Sequence, residues 1–363
     1  MNLSIQRANV DFDWGMHHLR AFAIVCILIE HLWMHIGLFR QAQAFFIGST
    51  FYFLFISGYL CQYLAFRRSI APKTYYRKKW TNVICPYLAW SVFTLAIVRI
   101  MNIRRAGVIP PEMVRWDNLP HIFLFGWAQG SYWYIPFVCV LFLVSPWLWK
   151  LKTSELVWLF VVSVSFAICY PFRPSSHFDG NPAMVFFQYA YFSWSYLLGL
   201  LYARLKPKID PYLQSYAIPA FGFGMLLGLG LLAPEKFAIV CPSEIDPNDA
   251  LRETVLSGPL ARSFQKLFFI VPAVVLAIRF TGKRIAVLDW LATYSFTMYF
   301  SHLLFLSDFV RLQDWLFSLV QPNAFGKTFL QIVVTVLFVA FNLLLAMCLK
   351  KVFGRHSRFF VGS

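Results

Sequence analysis

Apolar runs close to the length of a membrane crossing recur along the whole chain, and they constrain the fold more than any other feature. They cover Leu19–Leu38, Phe45–Phe66, Val83–Ile100, Tyr132–Trp149 and Leu156–Phe172 in the first half. Phe186–Ala203, Tyr216–Leu232, Leu267–Phe280, Leu291–Phe309 and Thr328–Leu349 follow in the second. A helix needs about 20 predominantly apolar residues to cross the hydrocarbon core, so the repeating unit is the membrane helix rather than a soluble domain. The expected fold is all-α and polytopic, with about ten spans in a single domain over 1–363. The segment Pro120–Gly130 is apolar but short and flanked by Pro and Gly, which suits an interfacial or re-entrant piece.

Composition agrees, with 59% hydrophobic and 13% charged residues, against about 25% charged in soluble domains. The net charge of +16 sits in short loops between apolar runs rather than in a nucleic-acid-binding patch. Eighteen basic residues, from Arg67 through Lys79, Lys150, Arg204 and Arg284 to Arg358, fall in compact loops and the C-terminal tail. Twelve, Lys266 among them, are spread over the longer opposite loops. The positive-inside rule then places both termini, tails 1–14 and 350–363, in the cytoplasm. Residues 1–14 lack the apolar core of a signal peptide. Six of the seven cysteines lie inside apolar runs without metal-ligand spacing, so neither a disulfide framework nor a metal site is expected. The loop Ala233–Lys266 carries an acidic cluster and reads as solvated or as a lid. No phosphate-binding Gly-rich loop is present, which argues against a nucleotide-driven pump.

Ionisable side chains in lipid cost about 2.5 to 3.5 kcal/mol each, so those within a span are functional candidates. The first run is the densest, with Arg20, Glu30, His31 and His35. Arg20 and His31 are three helical turns plus about 20° apart, which puts them on one face roughly 16 Å apart. A neutral imidazole can take a proton from an attacking hydroxyl and return it to a leaving group, as acyl transfer from a thioester to an alcohol requires. His31 is the expected base, Glu30 a second-tier catalytic candidate, and His35 a secondary one.

These residues resemble the acyltransferase 3 family. The first helix reads LRAFAIVCILIEH, with ten residues between Arg20 and His31; FLFISGYL follows from Phe53 to Leu60. A basic loop with Arg67, Arg68, Arg77, Lys78 and Lys79 then leads to Pro86 and Tyr87. WYIP spans Trp133–Pro136, and a late run carries Tyr294, Ser295, Tyr299 and His302. Two positions depart from the pattern: Val83 stands where the family has a third Arg, and Trp80 interrupts the basic pair.

The resemblance implies a ten-helix membrane O-acyltransferase, acetyl being the expected group, with Arg20 and His31 as the catalytic pair. The donor implied is cytoplasmic acetyl-CoA, used as co-substrate with no permanently bound cofactor. Its contacts are expected at Arg77, Lys78, Lys79, Ser57 and Tyr59, with Trp133, Tyr299, His302 and His35 as secondary or substrate contacts. The acceptor implied is a hydroxyl of a cell-surface or exported polysaccharide or its lipid-linked precursor. The expected location is a bacterial plasma or inner membrane, with membrane lipid and other polysaccharide-assembly proteins as partners and no nucleic acid. The alternative is a transporter or flippase for a lipid-linked glycan, in which the same residues would bind or relay protons.

Overall fold

A computed structural model describes residues 12–34, 45–102, 108–169, 183–231, 259–320, 323–360 and 362. The described residues are mostly helical, and no strand occurs among them; one isolated backbone bridge joins Val108 and Gln129. The helices are α1 (Trp14–Met34), α2 (Thr50–Arg68), α3 (Pro72–Lys79), α4 (Cys85–Met101), α5 (Leu119–Phe125), α6 (Tyr134–Leu148) and α7 (Thr153–Cys169). After them come α8 (Ala183–Ser215), α9 (Ala217–Gly230), α10 (Pro259–Arg279), α11 (Ala286–Val320), α12 (Ala324–Phe353) and the short α13 (Ser357–Phe360).

Where described, each expected apolar run is largely helical, with turn residues at 47–49 inside the second run and at the ends of the Tyr132–Trp149, Tyr216–Leu232 and Leu267–Phe280 runs. Among the described residues, length and composition alone qualify three helices to cross a membrane: Trp14–Trp33, Pro72–Met101 and Phe325–Phe360. A fourth joins them if Tyr191–Ser215 and Ala217–Gly230, bent by 94° at a short break, form one span. The apolar helices Thr50–Phe66, Tyr134–Leu148 and Thr153–Ala167 are shorter. Pro120–Gly130 holds the one short helix α5, closed by Gly126 at φ 73°, a conformation that glycine adopts without a Cβ penalty.

α1 is the central stave. It packs against α2, α10, α11 and α12, and 61% of its spanning window is buried, against 28% for α12. That position explains why α1 can carry ionisable groups: its faces meet protein rather than lipid. Large apolar side chains such as Trp158, Ile218, Leu226 and Phe325 are exposed on the outer helices, the arrangement expected where the solvent is hydrocarbon.

The tightest helix pair is α2 with α8. A Cβ at Gly58 would collide with the Tyr196 carbonyl oxygen, and one at Gly199 with that of Phe55, so the two backbones touch at reciprocal glycines. This contact holds the FLFISGYL segment rigid beside α8.

Three readings of the loops change. Arg204, Lys206 and Lys208 lie within α8 rather than in a loop, because that helix runs for 33 residues, about 50 Å at 1.5 Å per residue. Lys266 lies inside α10, fully buried, with its ammonium donating to the Phe45 carbonyl at 2.6 Å and near the Phe45 and Phe269 rings. Its aliphatic stem and aromatic neighbours explain how a lysine is tolerated there. Of the loop expected at Ala233–Lys266, 233–258 lies outside the described residues and the remainder is helical.

Candidate active site

The site is built around α1. Arg20 lines a cavity of about 240 Å3 enclosed by α1, α2, α3, α6 and the turn between α3 and α4. Ser57, Lys78, Lys79, Asn82 and Tyr134 supply its other polar groups. Ile56, Leu60, Val138 and Phe142 supply apolar wall, so a basic cleft narrows onto a greasy one. Lys79 lies 3.7 Å from the centre of the Phe142 ring, a cation–π contact that fixes its ammonium in the wall.

The departures at Trp80 and Val83 have a structural reason. Trp80–Ile84 form a π-helical turn between α3 and α4. Such a turn accommodates an extra residue within a continuous helix and commonly marks a functional site. Trp80 is exposed, while Lys78, Lys79, Asn82 and Val83 all line the cavity. The register shift therefore keeps both sides of the interrupted basic segment on one wall.

From the cavity a line of polar aromatic groups leads along the bundle. Tyr134 stands 3.3 Å from the Ser57 hydroxyl, and its ring centre is 5.8 Å from that of Tyr299. Tyr299 donates its hydroxyl hydrogen to the Ser131 carbonyl, and its ring centre is 6.0 Å from His302. His302 in turn lies 5.0 Å, centre to centre, from His31, with the rings inclined at 46°. Residues from α1, α6 and α11 thus converge: the first-helix histidine and the late-helix histidine are neighbours.

His302 is fully buried, and its Nδ1 is 2.8 Å from the Tyr299 carbonyl. A carbonyl can only accept, so Nδ1 carries the hydrogen and Nε2 holds a lone pair. That Nε2 has no hydrogen-bond partner among the described residues. A fully buried acceptor left without a partner costs about 1 to 3 kcal/mol. Beside it on α11, Ser301 donates to Asn342 of α12 at 2.9 Å and pins that stretch of helix.

Not all expected site residues join this arrangement. Glu30 accepts from the backbone N–H groups of Gly48 and Ser49 at 3.1 and 3.4 Å, so its carboxylate serves the entrance of α2. A carboxylate there meets the orphan donors and positive end of a helix. Tyr59 does not line the cavity. Its hydroxyl donates to Asp13 at 2.5 Å, and Lys206 bridges Asp13 and Asp210 at 3.3 and 3.1 Å, tying the start of α1 to α2 and α8. Arg77 is exposed outside the cavity, because successive residues of a helix point about 100° apart and Lys78 and Lys79 take the inward directions. Trp133 is half-buried against Phe192, 5.0 Å between ring centres. His35 lies outside the described residues.

Two participants were weakly signalled in the sequence. Tyr134 appears there only as the second residue of the WYIP segment, although it connects the cavity to Tyr299. Asn82 has no motif at all and is found only through the π turn.

A helical membrane protein with a basic cleft running toward paired histidines is the class that fold and site define. The family described as acyltransferase domain, acyltransferase 3, matches residues 13–351, nearly the entire chain. The chain belongs to this family and is a membrane acyltransferase. No curated protein and no solved structure matches it.

Proposed function

We propose that this protein is an O-acetyltransferase that takes acetyl from acetyl-CoA and passes it to a hydroxyl of a cell-surface or exported polysaccharide, or of its lipid-linked precursor. In this reading the apolar runs make ten crossings of a bacterial plasma membrane, with both termini cytoplasmic. One observation carries the proposal: a cavity lined by Arg20, Lys78, Lys79 and Tyr134, from which the packed rings of Tyr134, Tyr299 and His302 lead to His31.

The two lysines of α3 attract the phosphates of the donor, and Arg20 of α1 lines the same cavity. The acyl end of a thioester entering there is directed toward the imidazoles. His31 takes the proton of the acceptor hydroxyl as its oxygen attacks the acyl carbon. The C–S bond then breaks, and the imidazolium returns the proton to the departing thiolate. His302, its tautomer fixed by Tyr299, offers a second lone pair at 5.0 Å ring separation from His31 and holds a proton in transit. Glu30 orients α2, and through it Ser57, rather than transferring protons.

The test is His31→Ala expressed in the host, with surface glycans read by mass spectrometry and the variant's membrane insertion checked by gel filtration in detergent. The expected result is loss of one acetyl mass per modified sugar from a folded protein. Unchanged acetylation by His31→Ala would remove the proposal, and a change in glycan amount without a change in acetyl mass would favour a transporter.

A further inference from the structure

A second cavity, separate from the acyl-transfer site, lies between α1, α9, α10 and the start of α11. It encloses about 430 Å3, and Phe22, Val25, Met225, Ala273 and Phe280 are among its almost wholly apolar lining. His18 also stands in its wall. Along α10 the lining runs from Phe269 to Phe280, about 16 Å at 1.5 Å per residue. That is roughly half the 30 Å hydrocarbon core, the depth of a single leaflet.

One end of the cavity is marked as the membrane boundary. Trp14 lies there with Arg284 5.7 Å from its ring, and Asp289 pairs with Arg284 at 2.6 Å and His17 at 3.0 Å. Tryptophan and basic residues of this kind collect at the headgroup level. Arg279 follows the lining residue Leu276 by one turn, and Lys283 follows the lining residue Phe280 in the next turn of chain. Both are exposed, and neither has an ion pair among the described residues. Arg284 is already neutralised by Asp289, so the uncompensated positive charge is that of Arg279 and Lys283.

His18 adds a polar point at this end. Its Nε2 accepts from the Ile285 backbone N–H at 3.4 Å, which leaves the hydrogen on Nδ1. That N–H is buried and has no partner.

We infer that this cavity binds an anionic phospholipid, one alkyl chain lying in the groove and the phosphate meeting Arg279 and Lys283. Length selects a chain from one leaflet, apolar lining selects hydrocarbon, and the unpaired cations select a negative headgroup. The Trp14–Arg284–Asp289 cluster at the mouth joins α1 to α11, so lipid bound there stabilises the end of the bundle from which α1 enters.

Native mass spectrometry of the full-length protein in detergent tests this, with equal amounts of phosphatidylglycerol and phosphatidylcholine carrying the same chains. The wild type is expected to retain phosphatidylglycerol preferentially. Arg279→Ala with Lys283→Ala should weaken that retention about 30-fold, from the contribution of two basic residues near a lipid surface. Ala273→Trp, which fills the groove, should lose both lipids; the exposed charge pair carries the test if that variant does not fold. Equal retention of the two lipids by the wild type would overturn the inference. So would unchanged phosphatidylglycerol binding in the charge variant. None of these readouts depends on acyl transfer.

Discussion

Replacing His302 by Asn separates its two nitrogens, and so tests whether the late-helix histidine takes part in the chemistry. The Asn side-chain amide can sit where Nδ1 sits and still donate to the Tyr299 carbonyl, now 2.8 Å away. Only the Nε2 side of the ring disappears. The retained hydrogen bond, worth about 1 kcal/mol net, should hold the stability change to that order. Turnover should respond differently. A positioned acid–base group contributes about 10²- to 10⁴-fold, or roughly 3 to 5 kcal/mol of barrier. If Nε2 holds the proton in transit, His302→Asn should lower kcat at least 100-fold with KM for the donor near that of wild type. The assay is release of free CoA thiol by purified protein in detergent, with thermal melting as the fold control. The pH dependence of kcat supplies a readout that mere packing would not move: loss of one imidazole should simplify the profile. A variant turning over within threefold of wild type would refute a chemical role for His302 and leave the proton with His31 alone.

Three further outcomes follow from the geometry. Lys78→Met and Lys79→Met should each raise KM for the acyl donor about tenfold by removing a charged contact to phosphate, whereas Arg77→Ala, outside the cavity, should change it less than twofold; steady-state kinetics at fixed ionic strength distinguishes them. Gly58→Val should destabilise by at least the 1 to 3 kcal/mol of an overpacked core, because the added carbon meets the Tyr196 backbone rather than a side chain that can move; thermal melting and gel filtration measure it. Glu30→Gln keeps one acceptor for Gly48 and should stay within about threefold of wild-type turnover, while Glu30→Ala should cost roughly 1 kcal/mol as a lost cap; activity falling to background in Glu30→Gln would restore a catalytic carboxylate.

Much of this arrangement is legible in one dimension because hydrophobic length and intramembrane charge are strong signals. The helices appear where the apolar runs predict them, and Arg20 with His31 is fixed by the arithmetic of helical turns. What the sequence hides is contact between distant segments. His31 and His302 are 271 positions apart, and nothing local to either indicates that their rings lie 5.0 Å from one another. Tyr59 sits in the same motif as Ser57, yet two residues along a helix turn the side chain about 200° away, toward Asp13 and not the cavity. Lys266 looks like a loop residue because hydropathy counts its charge and not its buried partner at Phe45. Helix ends are not legible either: α11 continues to Val320, well beyond the apolar run ending at Phe309, because a helix can extend through polar, exposed residues that hydropathy does not count.

The placement of ionisable groups separates structure from chemistry within this bundle. Asp13, Lys206, Asp210, Tyr59 and Tyr202 pair with one another in a partly buried network in which each charged member has more than one partner, so this cluster serves to join the helices of the bundle. Glu30 is likewise spent on backbone donors at the start of α2. His302, like His18, has one nitrogen committed to the fold and one without a partner among the described residues, but it alone of the two stands 5.0 Å from the ring of His31. A protein selected only for stability would fill that position with an apolar residue of similar volume, which leaves no polar atom unsatisfied. The incomplete hydrogen bonding of His302 among the described residues, beside the histidine of the first helix and at the end of the Tyr134–Tyr299 line, is therefore the feature on which the proposed proton transfer rests.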